Sequence, residues 1–157
     1  MKQIKITFPN KTTETFENDI RPLILMEKLS EGENDRKIIA VKVNNEICSL
    51  DAPINISAQI EGVFLDTKEG ASIYRRSLCF VLAAAANNLF PGTRLLVGHS
   101  LGYGYYYTLE KKDGISKQDI ELLSKEMKRI VENDSIIETS FISYTEACDL
   151  FEKLSLT

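Results

Sequence analysis

The residues best suited to bind a ligand lie in a part of the chain that has no acid. Residues 70–109 contain no Asp or Glu, but they contain three arginines and a histidine. Guanidinium groups bind phosphate through paired N–H donors, and a helix predicted to begin at Ser72 would add free backbone N–H groups. If segment 98–104 folds over that helix end, a phosphate, a nucleotide or RNA would fit there. The candidate ligand-binding residues are Arg75, Arg76, His99, Ser100 and Tyr103.

The same composition also has a purely structural explanation. A stretch that is mostly core needs few acids, and its arginines can be solvated or paired with carboxylates from elsewhere in the chain. The glycines at 98, 102 and 104 do not make a phosphate loop, because the Lys-Ser/Thr of a Walker motif is missing and a strand should follow. Hairpin geometry explains these glycines better.

The tyrosines after these glycines have two interpretations. In a strand, Tyr105 and Tyr107 share one face and Tyr106 takes the other. One set is then expected to be core, while the other could stack on bases.

Catalytic and metal-binding residues are not expected within this chain. His99 is the only histidine, and one imidazole without partners makes a poor metal site. Three widely spaced cysteines read as buried, reduced thiols of a cytoplasmic protein. We therefore predict no catalytic residue, no metal and no cofactor in these 157 residues.

Composition and charge limit the class of protein. Apolar residues make up 43% of the chain and charged residues 27%, which is ordinary for a folded domain. The longest apolar run, at 78–86, has nine residues, far fewer than the ~20 that span a bilayer. We expect no membrane partner. A net charge of −4 argues against a generally basic surface for nucleic acid.

The elements that must position these residues follow from periodicity and capping. The first 64 residues predict a hairpin, a helix capped by Asn18 or Asp19, and three further strands over 38–43, 46–50 and 54–63. After a polar linker at 66–71, Ser72 is expected to cap a helix that ends near Asn88. The later elements are a hairpin with strands 93–97 and 105–109, a helix over 116–133, a strand over 135–142 and a last helix. Ser116 with Asp119, and Ser143 with Glu146, are expected to cap the two helices. The first of these helices carries an apolar stripe, and the apolar residues of the second are expected to face the core.

Two segments within residues 1–64 resemble a known domain. Residues 4–10 (Ile-Lys-Ile-Thr-Phe-Pro-Asn) and 43–54 (Val-Asn-Asn-Glu-Ile-Cys-Ser-Leu-Asp-Ala-Pro-Ile) resemble the first hairpin and a late turn of TGS domains. These are β-grasp modules at the start of threonyl-tRNA synthetases and of some nucleotide-dependent regulators. They usually act as adaptors, so the resemblance implies a fold for residues 1–64 and no chemistry.

Residues 70–157 resemble the first part of the editing-type, second additional domain of the same synthetases. The matching order is a helix, a Leu-Phe-Pro-Gly turn, a Gly-Tyr-Tyr-Tyr hairpin, a capped helix, a strand and another capped helix. The whole chain is therefore predicted to be α+β, a β-grasp domain followed by an α/β editing-like domain with an antiparallel sheet packed by helices. The family's domain continues further, so we expect a shortened or excised form.

The resemblance also implies a pair of histidines that this chain lacks. In the family's editing helix two histidines four residues apart are expected, and here Arg76 and Phe80 occupy those positions. Arg is always protonated and cannot serve as a ligand or a base, and Phe has no polar side-chain atom. Editing-type hydrolysis is therefore not expected.

A further resemblance concerns the parent protein. Residues 74–78 and 99–106 resemble a branch in which this module precedes a P-loop uridine kinase. This implies a non-catalytic accessory or regulatory region whose partner is a C-terminal nucleoside kinase domain using ATP and Mg²⁺. The alternative is an N-terminal fragment of threonyl-tRNA synthetase or a relative of tRNA-editing deacylases.

Overall fold

A computed structural model describes residues 2–33, 36–102, 104–135, 137 and 140–154 of the chain. Contacts between Cα atoms divide the chain into two units, Met1–Arg75 and Arg76–Thr157. Each unit is described by itself.

The first unit is built on one five-stranded sheet. The strand order is β2-β1-β5-β3-β4, in which β1 runs parallel to β5 and the other neighbours are antiparallel. All five predicted strands are present, although β5 begins four residues later than the predicted start at Ile54. The strands are β1 Gln3–Thr7, β2 Thr13–Glu17, β3 Ile38–Val43, β4 Glu46–Cys48 and β5 Ala58–Phe64.

A short helical segment supplies the other layer of this unit. It consists of a 3₁₀ turn, Pro22–Leu25, followed by helix α1, Met26–Leu29. The predicted cap at Asn18 or Asp19 is wrong, because the residue before the helical segment is Arg21 and its side chain makes no capping hydrogen bond. The core lies between this segment and the sheet. Its buried residues include Ile4, Ile6, Phe8, Leu25, Leu29, Val41 and Ile60.

The long helix α2, Lys68–Leu89, begins earlier than predicted. The hydroxyl of Thr67 accepts the Gly70 N–H at 3.0 Å and donates to the Phe64 carbonyl at 2.7 Å. Thr67 therefore caps the helix, and the predicted linker and the predicted cap at Ser72 are both wrong. A glycine is required at position 70, since a Cβ there would lie 1.9 Å from the Phe64 carbonyl oxygen.

In the second unit, α2 is followed by a hairpin and two helices. Ala85, Ala86, Leu109 and Leu123 form its buried core, so α2, the hairpin and α3 pack together. The elements are β6 Leu95–Leu101, β7 Gly104–Leu109, α3 Lys117–Glu132 and α4 Tyr144–Lys153.

The hairpin turn is shorter than predicted. Residues 98–101 belong to β6, and β7 begins at Gly104. Gly102 adopts φ +56°, a left-handed conformation that glycine accepts without strain, and this allows the chain to reverse within a tight turn.

Both predicted capping boxes are confirmed. Ser116 and Asp119 exchange side-chain and backbone hydrogen bonds at the start of α3, and Ser143 and Glu146 do so at α4. Asp119 is also held by the Lys111 ammonium at 2.8 Å. Hydrogen bonds from Lys111 and Ser116 lower the pKa of the Asp119 carboxyl to about 2, so this cap stays ionised at neutral pH.

Two predictions for the C-terminal part are not met by the described residues. Of the predicted strand 135–142, residues 135, 137 and 140–142 are not in a strand, and residues 136, 138 and 139 lie outside the described residues. Helix α4 has no buried residue, so its apolar side chains do not face a core as expected. Leu150 and Phe151 are about half exposed.

The predicted α+β class is confirmed by the mixed five-stranded sheet and the helices. The assignment of residues 1–64 and 70–157 to separate domains stays a prediction. Among the described helices, none has the length and apolar character needed to cross a membrane.

The start of α2 can be tested by removing its cap. Thr67→Ala should lower the free energy of unfolding by about 1 kcal/mol, the usual cost of losing an N-cap hydroxyl. Ser72→Ala should change it by less than about 0.5 kcal/mol, since Ser72 lies inside the helix. Urea denaturation measures both variants. A larger loss in Ser72→Ala than in Thr67→Ala would contradict the observed helix start.

Candidate ligand-binding site

Helix α2 carries both predicted arginines, in different surroundings. Arg75 is half-buried and Arg76 is exposed. Phe80 follows Arg76 by four residues and is 69% exposed. Residues four apart lie on the same side of a helix, so Arg76 and Phe80 share one accessible face, while Ala85 and Ala86 are buried in the core.

The predicted role of the helix N-terminus in this site is wrong. The helix begins at Lys68, so Arg76 lies eight residues inside it, about 12 Å along the axis. The free N–H groups of the first turn are therefore not beside Arg76. Any anion held by Arg76 depends on side chains rather than on the helix end.

His99 and Ser100 lie on strand β6 rather than on a loop. The His99 ring stacks on Tyr106, with centroids 5.9 Å apart and ring planes 15° from parallel. The Ser100 hydroxyl donates to the Gly102 carbonyl at 3.4 Å. Tyr103 lies outside the described residues.

The predicted site residues are therefore distributed over two elements. Arg75 is the last residue of the first unit, whereas Arg76, His99 and Ser100 belong to the second. Within the second unit the observed contacts join His99 to the hairpin and leave Arg76 on the exposed face of α2.

One contact between α2 and the hairpin was not predicted from the sequence. The Cys79 sulfur lies 3.1 Å from the Tyr107 phenol oxygen. Hydrogen bonding to Cys79, together with burial, raises the pKa of Tyr107 to about 12, so the phenol stays protonated at neutral pH and cannot act as a base. The alternation of the tyrosines predicted that Tyr105 and Tyr107 share one face, without deciding whether that face or the face of Tyr106 is core. The rings of Tyr105 and Tyr107 meet edge to face at 6.5 Å.

An apolar groove of about 710 Å³ opens beside this contact. Side chains of α2, the hairpin and α3 line it, and its charged groups are Lys128 and Glu132. The apolar stripe predicted for α3 forms one wall, so several of its residues are exposed in the groove rather than buried. Ile120 and Val131 are 59% and 61% exposed.

Among the residues that the structure describes, no three His, Cys, Asp or Glu side chains come close enough together to hold a metal ion.

Comparison with curated proteins points to one class, the ligases that attach threonine to its tRNA. No family model matches the chain. The similarity is to the N-terminal region of these ligases, at about 30% identity over 95% of the chain.

Three relatives illustrate the match, all of them threonine–tRNA ligases. The protein of Clostridium botulinum (strain Alaska E43 / Type E3) is 32% identical over 149 residues, 95% of this chain and 23% of the relative. That of Clostridioides difficile (strain 630) is 29% identical over 150 residues, 96% of this chain and 23% of the relative. That of Carboxydothermus hydrogenoformans is 29% identical over 150 residues, 96% of this chain and 24% of the relative.

The chain thus spans about a quarter of the length of the curated relatives that it matches. The resemblance to threonyl-tRNA synthetases is confirmed by these similarities.

The shared face of positions 76 and 80 can be tested with a designed metal chelate. The double variant Arg76→His, Phe80→His places two imidazoles at i and i+4, where both can bind one Zn²⁺. Zn²⁺ at about 100 times its Kd should raise the free energy of unfolding by about 2.7 kcal/mol, and chelation with EDTA should reverse the gain.

The matched control is Tyr74→His, Arg76→His, whose histidines are two residues apart and do not face each other. Equal stabilisation of both double variants in thermal unfolding would show that positions 76 and 80 do not share a face.

Proposed function

We propose that this chain is a non-catalytic, N-terminal accessory region of a protein related to threonine–tRNA ligases. The observation that carries the proposal is the similarity over 95% of the chain, combined with Arg76 and Phe80 at the positions where the family resemblance implies histidines. The proposed role is to bind a ligand or to regulate an attached catalytic domain. A cytoplasmic location is part of the same proposal.

The chemistry of positions 76 and 80 favours binding over hydrolysis of mischarged tRNA. A guanidinium stays protonated and a phenyl ring has no lone pair to offer, so neither can activate water or bind a metal. His99 lies on the hairpin against Tyr106, and Tyr107 is a protonated phenol at neutral pH. The deacylase alternative therefore lacks a general base at these positions.

Binding and hydrolysis can be distinguished with a threonine tRNA that carries the wrong amino acid. We expect the rate of amino acid release to be the same with and without the protein at neutral pH. Alkaline hydrolysis verifies that the ester can be cleaved under the assay conditions. A protein-dependent rate that Tyr107→Phe abolishes would support the deacylase and contradict the accessory role.

A second candidate is that the parent protein is a nucleoside kinase. Residues 74–78 and 99–106 favour it because they resemble the branch fused to a uridine kinase. A nucleoside kinase domain would then be the partner, with ATP and Mg²⁺ as its nucleotide and metal. Residues 1–157 contain no Gly-x-x-x-x-Gly-Lys-Ser/Thr motif. The gene beyond codon 157 distinguishes the two parents: that motif would support the kinase, and a class II synthetase core would exclude it.

The proposed ligand carries phosphate, and Arg76 is the first residue to test. Calorimetric titration with inorganic phosphate, nucleosides and nucleotides should show binding that weakens about tenfold or more in Arg76→Ala, since a charge-assisted hydrogen bond contributes roughly 1.5–3 kcal/mol. Lys112→Ala removes one exposed positive charge elsewhere and should bind like the original protein. Equal binding by Arg76→Ala would remove Arg76 from the proposed site.

A further inference from the structure

The hairpin of the second unit contains an irregularity that reorients one residue. Between Val97 and Ser100, β6 takes three steps while β7 takes two, from 107 to 105. Gly98 and His99 together therefore oppose the single residue Tyr106. This is a β-bulge, and an extra residue of this kind re-aims the side chains that follow it.

The bulge brings the rings of His99 and Tyr106 onto the same face of the hairpin. Without the extra residue, His99 would alternate onto the face of Val97, which is the face of Tyr107. With it, His99 lies beside Tyr106 in a nearly parallel stack. Glycine at position 98 allows the two strands to lie this close, because a Cβ there would be 3.1 Å from the Tyr106 carbonyl oxygen. That distance is tighter than ordinary contacts.

The stacked pair is accessible. Tyr106 is 53% exposed and His99 is also exposed, whereas Tyr105 and Tyr107 are half-buried. In a stacked pair each ring covers one face of its partner, so the π-surface offered to a ligand is the outer face of each ring. Bases of single-stranded RNA stack on such surfaces, with a contribution of roughly 1–3 kcal/mol per base.

The charge around the pair favours an anionic polymer over an apolar partner. The hairpin lies in the acid-free stretch 70–109. Arg94 lies just before β6 and is exposed. Continued alternation places it on the face of Tyr106, about 16 Å from His99 at ~3.3 Å per residue. The cross-strand neighbour of Arg94 is Glu110, whose N–H donates to the Arg94 carbonyl. Arg94 can reach a phosphate of a strand whose base stacks on the pair.

We propose that His99 and Tyr106 form a stacking platform for a nucleobase of single-stranded RNA. This inference specifies one ligand surface within the proposed accessory role and does not use Arg76. Failure of the platform and failure of the Arg76 site are therefore separately observable.

The test uses the sole histidine as a probe. The ring C–H signals of His99 are the only imidazole signals in the NMR spectrum of the 157-residue protein. Titration with an eight-nucleotide oligoadenylate should move these signals upfield, because a stacked base shields them. Tyr106→Ala should weaken binding on the order of tenfold, in line with the loss of one stacking contact.

Two controls distinguish binding of the base from binding of the phosphate, and binding at the His99–Tyr106 pair from binding at any exposed tyrosine. An abasic chain of the same length should leave the His99 signals in place. Tyr144→Ala removes an exposed tyrosine on α4, 86% exposed, and should bind like the original protein. Glu110→Gln should strengthen binding, since it removes the acid beside Arg94.

Three outcomes would overturn the proposal. The first is no shift of the His99 signals at millimolar oligoadenylate, and the second is an equal shift with the abasic chain. The third is self-association of the protein that Tyr106→Ala abolishes, in the absence of any RNA binding. Tyr106 also lines the apolar groove, so that result would mean that its face binds a second copy of the chain.

Discussion

The close approach of helix α2 to the end of strand β5 is the constraint on which much of this structure depends. At Gly70 the helix lies so near the Phe64 carbonyl that no side chain fits, and the Thr67 hydroxyl bridges the two elements. The helix therefore begins directly after the sheet ends. Each further residue of the helix rotates the side chain by a fixed angle, so periodicity determines which residues share a side, and packing against other elements decides which sides are buried.

Packing separates structural from accessible positions on α2. Ala85 and Ala86 enter the core, Cys79 reaches the Tyr107 phenol, and Arg76 with Phe80 remains in contact with solvent. The pair at 76 and 80 is thus available to a ligand, but its chemistry is that of a cation and an apolar ring. The scaffold resembles an editing domain, and these side chains suit recognition of an anion better than activation of water.

The hairpin shows how one extra residue changes the surface that a strand presents. Regular alternation would place His99 with the inward-facing tyrosines, and the bulge opposite Tyr106 places it on the outer face. The inner face packs on α2 through Tyr107, and the outer face keeps an aromatic pair in solvent. One face of this small hairpin therefore packs against a helix, while the other is open to solvent.

The sequence by itself determined the features that depend on local chemistry. Alternation at β1, the apolar run of β3, the serine and acid of both capping boxes, and the similarity to threonyl-tRNA synthetases can all be read from neighbouring residues. The types of Arg76 and Phe80 likewise exclude an imidazole pair without any structure. The five strands were found for the same reason, since alternation, an apolar run and turn residues are each visible over a few residues.

Tertiary structure alone decided the start of α2, the bulge and the exposure of α4. Ser72 is as good a cap as Thr67 in sequence, and only the contact with Phe64 selects Thr67. The bulge depends on pairing between β6 and β7, which no single strand encodes. The apolar stripe of α4 predicted a buried face, yet burial requires a partner surface, and α4 has no buried residue. Spacing along the chain specifies which residues share a face, and only packing between distant segments decides whether that face is covered.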